Sequence, residues 1–219
     1  MGLLSPSGKA ADSNGAIQVI ASRYGAEVPL PLTFVMSAKR HVDLPDSPAE
    51  VALVGRSNVG KSSLLNALAN RRQLAKVSNT PGRTQLLNLF TMPGGGTLVD
   101  LPGYGYAAVP KREQAGWRAM IEGYLLERQP LQLVLVLVDG EIGPTKLDVQ
   151  MFDWLQDNDV PHAIVATKVD KVRPSKRAGR RQQLAAACGL APEDVMWVSA
   201  TTGIGVDALQ AHVRALLEP

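Results

Sequence analysis

The sequence predicts an α/β fold: a mostly parallel six-stranded sheet with helices on both faces and one antiparallel edge hairpin. Three observations carry this. From about residue 50 onward, short apolar runs alternate with amphipathic segments, the pattern of strands that are joined by crossover helices. A glycine-rich stretch, Gly55-Arg-Ser-Asn-Val-Gly-Lys-Ser-Ser63, stands between the first apolar run and the first helical segment. Pro93-Gly-Gly-Gly96 joins two strands with no room for a helix, so that pair must be antiparallel. With 219 residues and 45% apolar content the chain can bury one core. A single domain is expected over residues 21–219, behind a flexible Gly-, Ser- and Ala-rich tail over residues 1–20.

Taken in order, residues 51–54 form the first strand and 61–71 the first helix, whose apolar positions recur at helical spacing. Residues 85–92 and 97–101 make the hairpin, and 107–128 a long helix. The run Leu131-Gln-Leu-Val-Leu-Val-Leu-Val138 is apolar at every position but Gln132, as suits a strand covered on both faces. Residues 146–156 then form a helix, 162–167 a strand, 176–188 a helix, 196–199 a strand and 206–217 the closing helix.

Composition excludes several classes. The longest apolar run is far short of the roughly 18 residues that span a bilayer, and Met1-Gly-Leu-Leu-Ser-Pro6 lacks the basic and apolar regions of a secretory signal. A soluble cytoplasmic protein without membrane attachment is expected. Cys188 is the one cysteine, which rules out internal disulfides and cysteine-based zinc sites; it is expected to be a small buried apolar group. His41, His162 and His212 stand far apart, without carboxylates at metal-ligand spacing, and receive packing or surface roles. Trp117, Tyr124, Trp154 and Trp197 are read as core or interface residues. Net charge is only +3, yet Lys171, Arg173, Lys176, Arg177, Arg180 and Arg181 crowd into eleven positions, which suggests an anionic partner such as RNA.

The chemistry lies in four motifs, each at the C-terminal end of a predicted strand, where open α/β sheets bind ligands. Gly55, Gly60, Lys61 and Ser62 fit the phosphate-loop pattern. Glycines let backbone N–H groups turn towards phosphate oxygens, the helix N-terminus adds partial positive charge, Lys61 neutralises the outer phosphates and the Ser62 hydroxyl can ligate Mg²⁺. Asp100-Leu101-Pro102-Gly103 follows the second hairpin strand; Asp100 could hold the metal through water and the Gly103 amide could approach a γ-phosphate. In Thr167-Lys168-Val169-Asp170 a strand-end carboxylate can accept two hydrogen bonds from guanine N1–H and the 2-amino group, donors that adenine lacks, so the nucleotide is GTP or GDP. Ser199-Ala200-Thr201 can lend backbone amides to the guanine O6.

These strings, together with Thr80-Pro-Gly-Arg-Thr-Gln85 and Asp100-Leu-Pro-Gly-Tyr-Gly-Tyr106, resemble the EngB (YihA/YsxC) family of bacterial ribosome-biogenesis GTPases over residues 30–217. The resemblance implies a Ras-like P-loop GTPase fold and GTP hydrolysis. It also implies a role in assembly of the large (50S) ribosomal subunit, with rRNA and ribosomal proteins as partners, and a need for the protein in cell division and septation. It extends the nucleotide contacts over the whole loop, including Arg56, Ser57, Asn58 and Val59, and places Gly82, Arg83, Thr84, Gln85 and Leu86 along the nucleotide. Thr84 becomes the switch threonine that joins Ser62 on Mg²⁺, with Thr80 as a rival. Lys61, Thr84, Asp100 and Gly103 then form the catalytic set, in a monomer.

Two departures bear on mechanism. The position after Gly103, where Ras-like enzymes carry the water-orienting glutamine, is Tyr104, so intrinsic hydrolysis should be slow until a partner, or a potassium ion near Asn58, completes the site. Thr167 stands where asparagine is usual, which should loosen the contacts that brace the phosphate loop. Two alternatives remain open at this point: a ribosome-binding assembly chaperone with nucleotide as a structural ligand, and a P-loop ATPase or kinase.

Overall fold

The computed structural model describes residues 29–75, 86–104 and 111–218, with the backbone alone at 111–115 and 117. The expected tail over residues 1–20, the stretch 82–85 with Thr84, its rival Thr80, the helical turn expected from Ala107 and the Trp117 side chain lie outside the described residues.

The strands are β1 (Thr33–Ala38), β2 (Glu50–Gly55), β3 (Leu87–Thr91), β4 (Thr97–Asp100), β5 (Leu131–Asp139), β6 (His162–Thr167) and β7 (Met196–Trp197). The helices are α1 (Lys61–Leu68), α2 (Lys111–Glu127), α3 (Lys146–Asp157), α4 (Arg177–Ala187) and α5 (Val206–Leu217). One seven-stranded sheet runs β1-β3-β4-β2-β5-β6-β7, antiparallel where β1 meets β3 and β3 meets β4 and parallel from β4 to β7. The hairpin is as expected; β1 is a seventh strand beyond the six that the pattern shows. It carries no clear apolar alternation, because Phe34 and Val35 are exposed, and it is held at the sheet edge by pairing with β3 and by an edge-to-face contact of Phe34 with Phe90.

Alternation along the parallel strands builds two cores. Val51 and Leu53 of β2, Leu135 and Leu137 of β5 and Val165 of β6 pack under Leu64, Leu65 and Leu68 of α1 and Leu209 and Val213 of α5. Ala52, Val54, Val134, Val136, Val138, Ile164 and Ala166 face the other way, against Ile121 and Tyr124 of α2, Phe152 and Leu155 of α3 and Leu184 of α4. Cys188 sits in this second core, where burial and the nearby Asp148 carboxylate push its thiol up to about 12. Trp197 is buried and Trp154 packs at the margin of the same core.

A polar knot ties the N-terminal end of the sheet. Glu50, fully buried at the start of β2, accepts hydrogen bonds from the Thr97 hydroxyl (2.8 Å), the Tyr124 hydroxyl (2.7 Å) and Arg128 Nε (2.9 Å) and Nη2 (3.2 Å). Arg128 Nη2 also reaches the Pro45 carbonyl at 2.6 Å, so the end of α2, the first parallel strand and the chain before it share one carboxylate. Removing one partner of a buried pair strands the other charge, so Glu50→Ala should lower stability by about 3–5 kcal/mol in chemical denaturation; a loss below about 1 kcal/mol would place the pair among exposed ones.

Candidate nucleotide site

The loop between β2 and α1 takes its shape from residues that tolerate left-handed backbone. Asn58 has φ 64° and Gly60 φ 108°, and Gly60 is the residue from which α1 starts. Two side chains from the end of β6 hold the loop from outside. Thr167 Oγ1 donates to the Val59 carbonyl at 2.7 Å, with the Val138 carbonyl a longer second acceptor at 3.1 Å. Lys168 Nζ donates to the Asn58 carbonyl at 2.9 Å. In a trans peptide the carbonyl and the following N–H point to opposite sides, so drawing the Val59 carbonyl outward turns the Gly60 N–H inward. Among the described residues the N–H groups of Gly60, Lys61 and Ser62 have no protein acceptor, and α1 supplies its positive dipole end at the same place. The expected loosening by Thr167 does not hold at this contact: one hydroxyl reaches the loop carbonyl.

Asp100 ends β4 across from Lys61, with Oδ1 at 4.0 Å from Nζ. That oxygen is buried and accepts no hydrogen bond. Burial raises the Asp100 carboxyl above its ordinary range, against the pull of Lys61 and a hydrogen bond from Asn88. Leu101 is buried behind it and its N–H bonds the Leu53 carbonyl at 3.0 Å. After Pro102, Gly103 passes so close to the loop that a Cβ there would lie 3.1 Å from Ser57 N and Oγ. Tyr104 then pairs with the loop around Arg56: its N–H reaches the Gly55 carbonyl (3.3 Å) and its carbonyl accepts from Ser57 N–H (3.1 Å). Arg56 Nε is buried there without a hydrogen-bond partner.

The Tyr104 side chain turns away from the loop. Its hydroxyl donates to Asp148 Oδ1 at 2.7 Å, and burial beside that carboxylate raises its pKa far above the ordinary phenol range. Asp148 Oδ2 meanwhile accepts from the Thr145 amide and hydroxyl as part of the α3 cap. Tyr104 therefore does not stand in for the missing glutamine.

Beside the loop lies a cleft of about 180 Å³ lined by Gly60, Ser63, Leu64, Thr167, Lys168, Asp170, Lys171, Val198, Ala200 and Thr201. Lys168, at φ 56°, is a strained residue in the base motif, and its Nζ lies 2.6 Å from Asp139 Oδ2. Val169 N–H bonds the Val198 carbonyl, joining the two base-side motifs, and Asp170 makes no hydrogen bond among the described residues. Ser199 is fully buried and shapes its turn: Oγ accepts from the amides of Thr201 (3.3 Å) and Thr202 (3.1 Å), and its own N–H bonds the Ile204 carbonyl. The Ala200 N–H is the one left without a protein acceptor among the described members of that motif. Of Gly82–Leu86, only Leu86, directly before β3, is described.

A family model described as a 50S ribosome-binding GTPase matches residues 50–168. The "Probable GTP-binding protein EngB" of Pelotomaculum thermopropionicum is 51% identical over 174 residues, 78% of this chain and 88% of the relative. The chain belongs to the EngB family. A second EngB relative, from Geobacter sp. strain M21, is 46% identical over 187 residues, 85% of this chain and 87% of that one. The crystal structure of a probable GTP-binding protein EngB matches with TM-score 0.64 at 22% identity, over 77% of this chain and 98% of that chain. Era from Aquifex aeolicus matches with TM-score 0.57 at 24% identity, over 77% and 56%; both structures share the fold. As a member of the EngB family the chain is a GTPase with a P-loop GTPase fold.

Asp139 is the functional neighbour that motif reading passes over. It is almost fully buried at the end of β5; Oδ1 accepts from the amides of Glu141 (3.0 Å) and Ile142 (3.2 Å) while Oδ2 holds Lys168. Its signal in the sequence is positional, a carboxylate that ends the strand next to both β2 and β6. A charge-assisted hydrogen bond contributes about 1.5–3 kcal/mol, so Asp139→Asn should weaken GTP binding about tenfold and keep the preference for guanine over adenine. Fluorescence titration with labelled nucleotides checks this, and wild-type affinity would remove Asp139 from the site.

Proposed function

We propose that this GTPase is a nucleotide-timed switch in assembly of the large (50S) ribosomal subunit, working as a monomer in the bacterial cytoplasm, with cell division and septation depending on it. The observation that carries the nucleotide half is the set of N–H groups at Gly60, Lys61 and Ser62 with no protein acceptor among the described residues, beside Lys61 Nζ and a cleft holding an uncommitted Asp170. The ribosomal half is supported by the description of the matched family model as a 50S ribosome-binding GTPase. Among the described residues no helix is long and apolar enough to cross a membrane.

In this reading the loop from Gly55 to Ser62 cradles the α- and β-phosphates and Lys61 neutralises the β- and γ-oxygens. Asp170 accepts from the guanine N1–H and 2-amino group, the Ala200 amide meets O6, and Ser199 holds that turn in place. The described oxygen donors fit Mg²⁺: the Ser62 hydroxyl would hold it directly and the unpartnered Asp100 Oδ1 through water; Thr84, outside the described residues, would join them in the GTP state. When bound, the ion adds charge neutralisation at the outer phosphates. The γ-phosphoryl group passes to water. Lys61 and the Gly103 amide stabilise the charge that spreads over its oxygens. Thr84 and the segment after Gly103 order around the γ-phosphate and relax on its loss, altering the surface shown to the subunit.

Hydrolysis by the protein alone is slow, because Tyr104 is committed to Asp148 and no described side chain orients the attacking water. The subunit, or a potassium ion at Asn58, completes the site. The same observation favours one second reading, a ribosome-binding assembly chaperone that keeps its nucleotide as a structural ligand. An ATPase or kinase is disfavoured by Asp170.

Two experiments test the proposal. Lys61→Ala should weaken GTP binding about 10- to 100-fold, the loss of one to two charge-assisted hydrogen bonds, whereas Thr84→Ala should spare GDP binding and weaken the response to GTP. Co-sedimentation with large subunits should occur with a non-hydrolysable GTP analogue and fall away with GDP, with turnover accelerated by subunits and faster in potassium than in sodium. Equal binding in every nucleotide state would favour the chaperone reading, and equal rates in the two salts would discard the ion.

A further inference from the structure

We propose that the face formed by the turn Val169–Lys171, the segment 172–176 and the first half of α4 is an RNA-backbone docking surface that begins at the guanine cleft. The proposal rests on the large-subunit reading above and names the surface that serves it.

Six cations, Lys171, Arg173, Lys176, Arg177, Arg180 and Arg181, lie along this stretch, and no Asp or Glu occurs between Asp170 and Glu193. None of the six forms an ion pair among the described residues. Their placement works against the helix that carries them. Arg177, Arg180 and Arg181 occupy the first five positions of α4, Lys176 precedes it, its first turn holds no acidic residue and no side chain caps it. A helix N-terminus is the positive end of the dipole, where anions are favoured and cations are not. A solvated helix face has no need of this arrangement; a surface that meets an external polyanion does.

The guanidinium groups are also held in position without being neutralised. Arg177 Nε donates to the Val172 carbonyl at 3.1 Å, Arg180 Nη1 to the Ile142 carbonyl at 3.2 Å, and Arg181 lies over the Trp197 ring at 5.7 Å. Each contact uses an uncharged partner and leaves most of the guanidinium N–H groups free for bidentate contact with phosphate. The side chains of Lys171, Arg173 and Lys176 make no hydrogen bond among the described residues, and all three residues are exposed. Fixing the arginines beforehand reduces the ordering cost of binding. An extended array of cations, arginine-rich and lacking acidic neighbours, complements a chain of phosphates; on a ribosomal subunit that chain is rRNA. The array starts one residue after Asp170, and Lys171 lines the cleft itself, so the same short turn serves guanine and RNA.

The test uses Arg173→Gln/Lys176→Gln in the full chain, with Lys39→Gln/Arg72→Gln, two exposed cations elsewhere, as the charge-matched control. Binding to intact large subunits and to deproteinised large-subunit rRNA is measured between about 50 and 200 mM salt, with melting temperature as the folding check. The expected result is that Arg173→Gln/Lys176→Gln binds both about tenfold more weakly, with the slope of log K against log salt reduced by about two, one per lost phosphate contact. The control should bind as wild type. Wild-type binding and slope in the first variant, or equal losses in both, would overturn the surface and leave the large-subunit reading standing. A loss on subunits with none on rRNA would overturn RNA as the partner in favour of an acidic protein. Wild-type protein that binds neither would overturn both readings.

Discussion

The candidate site depends on two side chains at the end of one strand pulling two carbonyls outward. Thr167 takes the carbonyl of Val59, and the peptide plane then turns the Gly60 N–H inward; Lys168 takes that of Asn58 and ties the loop to the segment after β6, while the Val59 N–H closes a turn on the Arg56 carbonyl. Without that pull the chain from Gly55 to Gly60 would be an ordinary turn. With it, the Gly60 N–H turns inward beside the N–H groups of Lys61 and Ser62, which have no protein acceptor among the described residues, at the positive end of α1. Asp139 extends the arrangement by one shell: a buried carboxylate that holds Lys168 on one side also organises the turn after β5. The segments proposed to recognise the base and to hold the phosphates are thereby mechanically joined.

The sheet separates stability from chemistry. At the N-terminal end of its parallel strands Glu50 is enclosed by Thr97, Tyr124 and Arg128, and both of its carboxylate oxygens accept hydrogen bonds from other parts of the fold. At the C-terminal end the pattern reverses: Asp100 Oδ1 has no hydrogen-bond partner, and neither Asp170 nor the Ala200 amide has one among the described residues. Buried polar groups are ordinarily satisfied, so the unsatisfied Asp100 Oδ1, together with a half-buried Asp170 and an exposed Ala200 amide at neighbouring strand ends, marks where a ligand belongs. Tyr104 crosses between the two regimes, with its backbone on the phosphate loop and its hydroxyl on the cap of α3.

Much of this was legible in the residues themselves. Every predicted strand from 51 onward has its counterpart within a few residues, because strands buried on both faces read as apolar runs and the helices between them carry strong period and clear ends. The motif Gly-x-x-x-x-Gly-Lys-Ser is legible because a backbone-made site constrains glycine positions. β1 was not legible: an edge strand with exposed Phe34 and Val35 is defined by its partner, a contact remote in sequence. The bracing by Thr167 was misjudged for a related reason, since side-chain reach across 108 positions depends on the register of three strands. Asp139 was missed because it is a single carboxylate without a motif of its own, and Asp148 because the capping pattern Thr145-x-x-Asp148 gives no sign that Tyr104 reaches it.

The most direct test of the account is the GTP affinity of Thr167→Val, which keeps the shape of the side chain and removes the hydroxyl that reaches the loop. The account predicts a loss of about tenfold, the effect of a buried carbonyl left unsatisfied and a loop no longer held, with guanine still preferred over adenine and global stability little changed. Wild-type affinity in Thr167→Val would contradict it, showing that the loop holds its shape without the end of β6.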